Sequence, residues 1–125
     1  MIFKIRTSKK TMQIFEEISA SINYAPFILS KLSISLSLKS KIPFVDEDFK
    51  TDTQGLELNR QTITSEWDVL YKGLIEMFEK RHLSDDEYFQ KYIKAHLDRG
   101  AKILYSEFKY NGDLLVGLLK NEQGI

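Results

Sequence analysis

Polar and apolar positions alternate only at the start of the chain. Ile2-Phe3-Lys4-Ile5-Arg6-Thr7 follows the two-residue period of a half-exposed strand. From Ser8 onward the spacing is helical. Ser8 is placed to cap a helix whose apolar face is Met12, Phe15, Ile18 and Ile22. Ser21 to Ala25 reads as a turn, and Pro26 suits the first position of a second helix. The run L-S-I-S-L-S-L-K that follows alternates strictly, which alone fits a strand. Pro26 and the common face of Leu29, Leu32 and Leu36 nevertheless predict a helix, with Ile34 and Leu38 on a second face and small serines that permit close packing against another chain.

Lys39 to Thr53 reads as a loop around Pro43 and the acidic Asp46-Glu47-Asp48. A polar turn at Gln54-Gly55, the pair Asn59-Arg60 and the β-branched Thr62-Ile63-Thr64 lead to Ser65, a candidate cap. Glu66 and Asp68 put negative charge at the helix start. Trp67, Leu70, Tyr71, Leu74, Ile75 and Phe78 then predict an amphipathic helix to about Lys80-Arg81 that buries the tryptophan, preceded by a loop that delivers Arg60. Ser84 and Glu87 form a capping box for a long helix from Asp85 to about Phe108, with the stripe Phe89, Ile93, Leu97, Ala101, Leu104 and Phe108. Gly100 inside it points to a close helix crossing. Asn111-Gly112 is the expected stop, and Asp113 the cap of a last helix carrying Leu114, Leu115, Leu118 and Leu119.

The expected fold is mainly α, a short N-terminal strand followed by about five helices in one domain over residues 1–125. A basic strand-helix-helix part spans 1–41, an acidic loop and connector 42–65, and a helical scaffold 66–120. At 125 residues such a domain buries roughly 65% of its unfolded surface. The N-terminal order is that of a ribbon-helix-helix unit, in which two subunits pair strands and outward residues, here Lys4 and Arg6, read the major groove. A lone strand needs a partner, and the Ile34–Leu38 face needs cover. Both imply a homo-oligomer, dimer or tetramer.

Formal net charge is zero, but it is unevenly spread: +5 over residues 1–41, −7 over 42–90 and +2 over 91–125. A basic first third beside an acidic middle fits one face for a polyanion and another for a protein partner. Lys9, Lys10, Lys31, Lys39, Lys41 and Arg60 are a candidate set of DNA-backbone contacts, since phosphate binding needs such residues and no special motif. Solvated helix surfaces would look the same.

Candidate chemistry is sparse. With no cysteine, thiolate catalysis, disulfides and cysteine-based zinc sites are excluded. His82 and His96 lack ligand spacing and read as surface or helix-end residues. There is no phosphate-binding glycine loop and no nucleophile elbow. The acidic triplet at 46–48 lacks the converging spacing of a hard-cation site. No cofactor is expected and no catalytic residue is assigned. No apolar run approaches the roughly 20 residues of a membrane span, and no charged-then-apolar leader opens the chain, so the expectation is a soluble, cytoplasmic protein.

Three segments, in order, resemble the DNA sulfur modification protein DndE family. G-L-E-L-N-R-Q-T from Gly55, with W-D-V-L-Y-K-G-L-I behind it, resembles that family's G-x-E-x-N-R-x-T and L-Y-x-x-L-I. Residues Ser21 to Leu38 resemble its T-G-x-T-P-N-x-x-x-R-I-A-x-x-L-S-L, and Ala95 to Leu104 its H-x-N-R-G-x-x-x-L. Asn23, Phe27, Lys31 and Asp98 stand where the family has Gly, Asn, Arg and Asn; Asn23 can still take a left-handed turn. The resemblance implies a role in DNA phosphorothioation, as a non-catalytic DNA-binding subunit that holds duplex, including nicked, DNA. Its partner enzymes would be a cysteine desulfurase, a sulfurtransferase-like subunit and an ATPase. Lacking cysteine, the chain cannot itself carry persulfide sulfur. A ribbon-helix-helix repressor or antitoxin, and a structural adaptor without DNA contact, are the alternative readings.

Overall fold

The computed structural model describes residues 1–110. The expected stop at Asn111-Gly112 and the last leucine-rich helix lie outside the described residues. The elements run β1 (Lys4–Arg6), α1 (Lys9–Ile22), α2 (Pro26–Ser40), a 3-10 turn Asp46–Phe49, β2 (Glu57–Asn59), α3 (Arg60–Ile63), a 3-10 turn Ser65–Trp67 and α4 (Asp68–Glu79). A π-helical stretch Glu87–Ile93 then runs straight into α5 (Lys94–Tyr110). The fold is mainly helical, as the spacing predicts.

α5 is the axis. Ala95, Leu97, Ala101 and Leu104 are buried along it, and α1 and α2 pack against it. Apolar residues four apart drift by about 40° per step on an α-helix. The π stretch takes more than four residues per turn and so rotates the other way, bringing Tyr88, Phe89, Tyr92 and Ile93 into the same buried stripe. The capping box forms as expected: the Glu87 N–H donates to Ser84 Oγ at 3.1 Å and the Ser84 N–H to Glu87 Oε1 at 3.3 Å.

α2 is a helix despite its alternating sequence. Ser30, Ser33 and Ser37 are buried and Ile34 is in the core. The serines pack against α5 of the same chain, not another chain. A Cβ added at Gly100 would overlap the Ser33 carbonyl, so the crossing requires glycine there. Ser30 and Ser33 hydroxyls donate to the carbonyls of Pro26 and Leu29 in the preceding turn, which satisfies them without outside partners.

β1 is not alone either. It pairs antiparallel with β2, Lys4 opposite Asn59, Ile5 opposite Leu58 and Arg6 opposite Glu57. Ile5 and Leu58 point inward, and the Arg60 N–H to Phe3 carbonyl bond of 2.7 Å prolongs the ladder. Strand pairing across subunits, the basis of the ribbon-helix-helix order, is replaced by pairing within the chain. The lone strand and the Ile34 face therefore give no ground for an oligomer, because both are satisfied internally.

The α4 region departs most from expectation. Ser65 does not cap: it holds a positive φ of 55° and opens a 3-10 turn. That turn rotates the helix behind it. Ile75 is buried and Tyr71 and Phe78 are half-buried, but Trp67, expected in the core, is 55% exposed, and Leu70 and Leu74 also face solvent.

Candidate nucleic-acid interface

The basic residues of the first third divide by element. Lys4 and Arg6 are the outward residues of β1 because Ile5 between them points inward. Both lie beside Glu57 across the ladder, at 3.8 and 4.0 Å, as exposed and weak pairs. Lys9 and Lys10 are exposed in the first turn of α1, whose start is fixed by the Thr11 N–H donating to Ser8 Oγ at 3.1 Å. The Lys9 N–H donates to Asp52 at 2.8 Å, so its backbone is held while its side chain is not. Lys10 lies 5.9 Å over the Tyr105 ring and Lys31 5.9 Å over Phe27. Lys39 is exposed in the last turn of α2, and Lys41 caps that helix in the left-handed conformation with its side chain in solvent. Among the described residues, Lys9, Lys10, Lys31, Lys39 and Lys41 form no ion pair.

Arg60 behaves differently. It is only 7% exposed, and all five of its N–H donors are used. Nε and Nη2 donate to Asp68 at 3.1 and 2.7 Å, Nη1 and Nη2 to Asp85 at 2.9 and 2.7 Å, and Nη1 to the Ile2 carbonyl at 3.1 Å. The guanidinium also lies 4.8 Å from the Phe89 ring centre. Asp68 Oδ1 accepts from Thr64 at 2.7 Å and from Tyr88 at 2.9 Å. Hydrogen bonds from Arg60 hold Asp85 below the usual carboxylate range. Burial alone would raise Asp68, but its bonds from Arg60, Thr64 and Tyr88 outweigh that and hold it low as well. The bonds to Asp85 and then Asp68 push the Arg60 pKa up. Two carboxylates thus occupy the fork that a phosphate would need. Arg60 ties the Ile2 segment to α4 and the long helix, and every one of its guanidinium N–H groups is engaged in doing so.

Two further polar centres, at Asp98 and His96, are buried in the structure. Asp98 is 2% exposed and accepts four bonds: from the Ser8 N–H at 3.1 Å, Thr11 Oγ1 at 2.7 Å, Thr51 Oγ1 at 2.7 Å and Lys94 Nζ at 2.6 Å. His96, expected near a surface, is fully buried; only His82 is exposed. The Ser37 hydroxyl accepts from Arg99 Nε at 2.8 Å and shares a second hydrogen bond of 2.8 Å with His96 Nδ1. Nε2 is buried and has no hydrogen-bond partner among the described residues. Phe44 and Phe78 lie 4.5 and 5.3 Å from the imidazole centre. Burial first, and Arg99 second, push its pKa down to about 3, so the ring is neutral. Both lie in the Ala95–Leu104 segment that resembles the family's H-x-N-R-G pattern, and Asp98 also stands four residues after Lys94.

Among the described residues no group of carboxylates and histidines could hold a metal ion, and no helix is long and apolar enough to cross a membrane. The Asp46-Glu47-Asp48 triplet forms the 3-10 turn, and Asp48 is used in accepting the Val45 N–H at 2.8 Å.

Comparisons with known proteins point one way. The model of the family "DNA sulphur modification protein DndE" matches residues 4–112. No curated protein sequence matches the chain. The fold is similar to the crystal structure of DndE from Escherichia coli B7A, described as involved in DNA phosphorothioation modification. The TM-score is 0.65 at 19% identity, covering 83% of this chain and 98% of that one. A DndE mutant with lysine in place of two glycines matches with TM-score 0.63, the same identity and the same coverage.

Proposed function

The chain belongs to the DndE family, and from that premise we propose that it is a non-catalytic, DNA-holding subunit of a DNA phosphorothioation system. In that role it binds the backbone of duplex DNA, nicked duplex included. It presents that DNA to sulfurtransferase-like and ATPase partners and works as a homo-oligomer. One observation carries the reading: Lys9, Lys10, Lys31, Lys39 and Lys41 project from α1 and α2 without a carboxylate partner among the described residues, on a chain whose net charge is zero. Charge left unpaired on helix surfaces is what phosphate contacts are made from. Lys4 and Arg6 complete the set once Glu57 gives them up. The acidic middle, with Asp46, Glu47 and Glu66 exposed, is the side offered to protein partners. Without cysteine the chain does not itself carry persulfide sulfur, which fits a binding and positioning role.

The test is fluorescence anisotropy with a labelled duplex, intact and singly nicked, at about 50 and about 200 mM salt. Binding that ignores sequence, falls steeply with salt and favours the nick is expected. Replacing Lys9, Lys10 and Lys31 by Glu should make the slope of log affinity against log salt shallower by about 2.7, or about 0.9 for each contact removed. No binding at low salt would overturn the reading in favour of an adaptor. Preference for one sequence would favour a repressor.

A further inference from the structure

Positive charge is not confined to the first third of the chain: residues 91–125 carry +2. α5 packs alongside α1, and the two helices bring lysines together on one ring. Lys10 of α1 lies 5.9 Å from the centre of the Tyr105 ring, and Lys109 of α5 lies 5.5 Å from the same centre. Lys102, three residues before Tyr105 and so on the same side of α5, is exposed and forms no ion pair among the described residues. A concavity of about 450 Å³ runs along this side, lined by Lys102, Tyr105, Ser106, Lys109 and Tyr110. Among the described residues, Glu17 is the carboxylate that answers the cluster, 3.1 Å from Lys109. Hydrogen bonds from Lys109 and then Tyr105 hold Glu17 below the usual carboxylate range. Both members of that pair are nearly half exposed, so it is a weak pair that a phosphate can displace.

We propose that this side of α5 is a second row of DNA-backbone contacts, made by Lys102 and Lys109 beside Lys10, and that Glu17 restrains it by competing with phosphate for Lys109. Three cations drawn from two helices against one carboxylate leave an excess of like charge that repels itself until an anion arrives. Lys10 sits next to Lys9 in the first turn of α1, so the cluster is continuous with the lysines already placed on the backbone. Its lining is polar apart from the two tyrosine rings, which suits a phosphate chain better than the apolar centre of a protein interface. Resting on the DNA-holding reading above, this placement lays the duplex along α5 and α1 at once. Glu17 then acts as a brake. Removing its charge frees Lys109 for phosphate, a gain of affinity that a purely structural pair would not give.

The experiment is anisotropy of a labelled duplex with the full chain between about 50 and about 200 mM salt, with thermal unfolding of each variant alongside. Lys102→Gln with Lys109→Gln, both at exposed positions, should leave unfolding unchanged. The slope of log affinity against log salt should become shallower by about 1.8, or about 0.9 for each contact. Lys80→Gln, the same loss of charge at the exposed cap of α4, should leave the slope as it was. Glu17→Gln should tighten binding about threefold at the lower salt, and the gain should vanish when Lys109 is also Gln, as coupled neighbours require. Glu16→Gln, at the exposed carboxylate next to it, should show no such coupling to Lys109. If the unaltered protein binds but the lysine pair leaves the slope unchanged, or if the Glu17→Gln gain persists without Lys109, the proposal is overturned and the DNA-holding reading stands. No binding by the unaltered protein would overturn both.

Discussion

Replacing Arg60 by Met separates a structural arginine from a DNA-contacting one. Met fills similar volume but leaves Asp68 and Asp85 facing each other beside a buried aromatic wall without their cation. Removing one partner of a fully buried ion pair costs about 3–5 kcal/mol. Here the two carboxylates keep 27% and 35% of their side chains exposed, so water screens part of the loss and about 2–4 kcal/mol is expected. For a chain of this length that lowers the melting temperature by about 10 °C. The pH dependence gives an internal check. Asp68 and Asp85 have folded pKa values below their unfolded ones, so at low pH the unfolded chain binds more protons. Their contribution is therefore present above about pH 4 and lost as pH falls through the folded values. In the variant that contribution is absent, so the gap between the two proteins should narrow below about pH 4. Thermal melts by circular dichroism from pH 7 to pH 3, with DNA anisotropy of the folded variant at low temperature, make the measurement. Melting within about 2 °C of the unaltered protein together with lost DNA binding would refute the structural assignment.

Asp98→Ala removes the acceptor for four donors and strands Lys94 in a half-buried position, and should cost about 2–4 kcal/mol in chemical denaturation. Asp98→Asn keeps one oxygen for Ser8 and Thr11 but turns an amide toward Lys94, so it should recover only part of that loss. His96 is neutral when folded, with a pKa near 3 against 6.5 when unfolded. Acid therefore favours the unfolded chain: stability is full above about pH 6.5 and declines as pH falls toward 3, by about 2 kcal/mol at pH 5. Denaturation curves at pH 7 and 5 should show that loss, and His96→Phe should remove its pH dependence.

Features set by a few neighbouring residues were legible in the sequence. The Ser84–Glu87 box, the Ser8 cap, the left-handed Asn23 at φ 58° and the close crossing at Gly100 all depend on local geometry or on one missing side chain. The α2 helix was legible too, because Pro26 outweighed the alternation that followed. What escaped was set at a distance. Glu57–Asn59 is too short to show a period, and only its pairing with Lys4–Arg6, more than fifty residues away, makes it a strand. The positive φ at Ser65 shifts the register of α4, so a periodic stripe was real but assigned to the wrong side. Arg60 and Asp98 look alike in sequence to any surface charge. Burial comes from α4 and the long helix for one, and from α1 and the 51–52 segment for the other. Lys4 and Arg6, read as outward from the alternation of the strand, are exposed; of the five lysines in the candidate set, Lys31 is half-buried and the other four are exposed.

The Asp98 hub also sets an order of events during synthesis. Its donors at Ser8 and Thr11 are 90 and 87 residues away along the chain, and α2 has its packing surface on α5. Contacts this remote are slow to close, and on the ribosome their acceptor does not yet exist while the basic N-terminal part is emerging. The nascent protein therefore carries its lysine-rich first third with only the β1–β2 pairing to hold it, and without its α5 contacts, until the last described helix is made. A truncation that removes Asp98 would then release the start of α1 as well as the end of the chain.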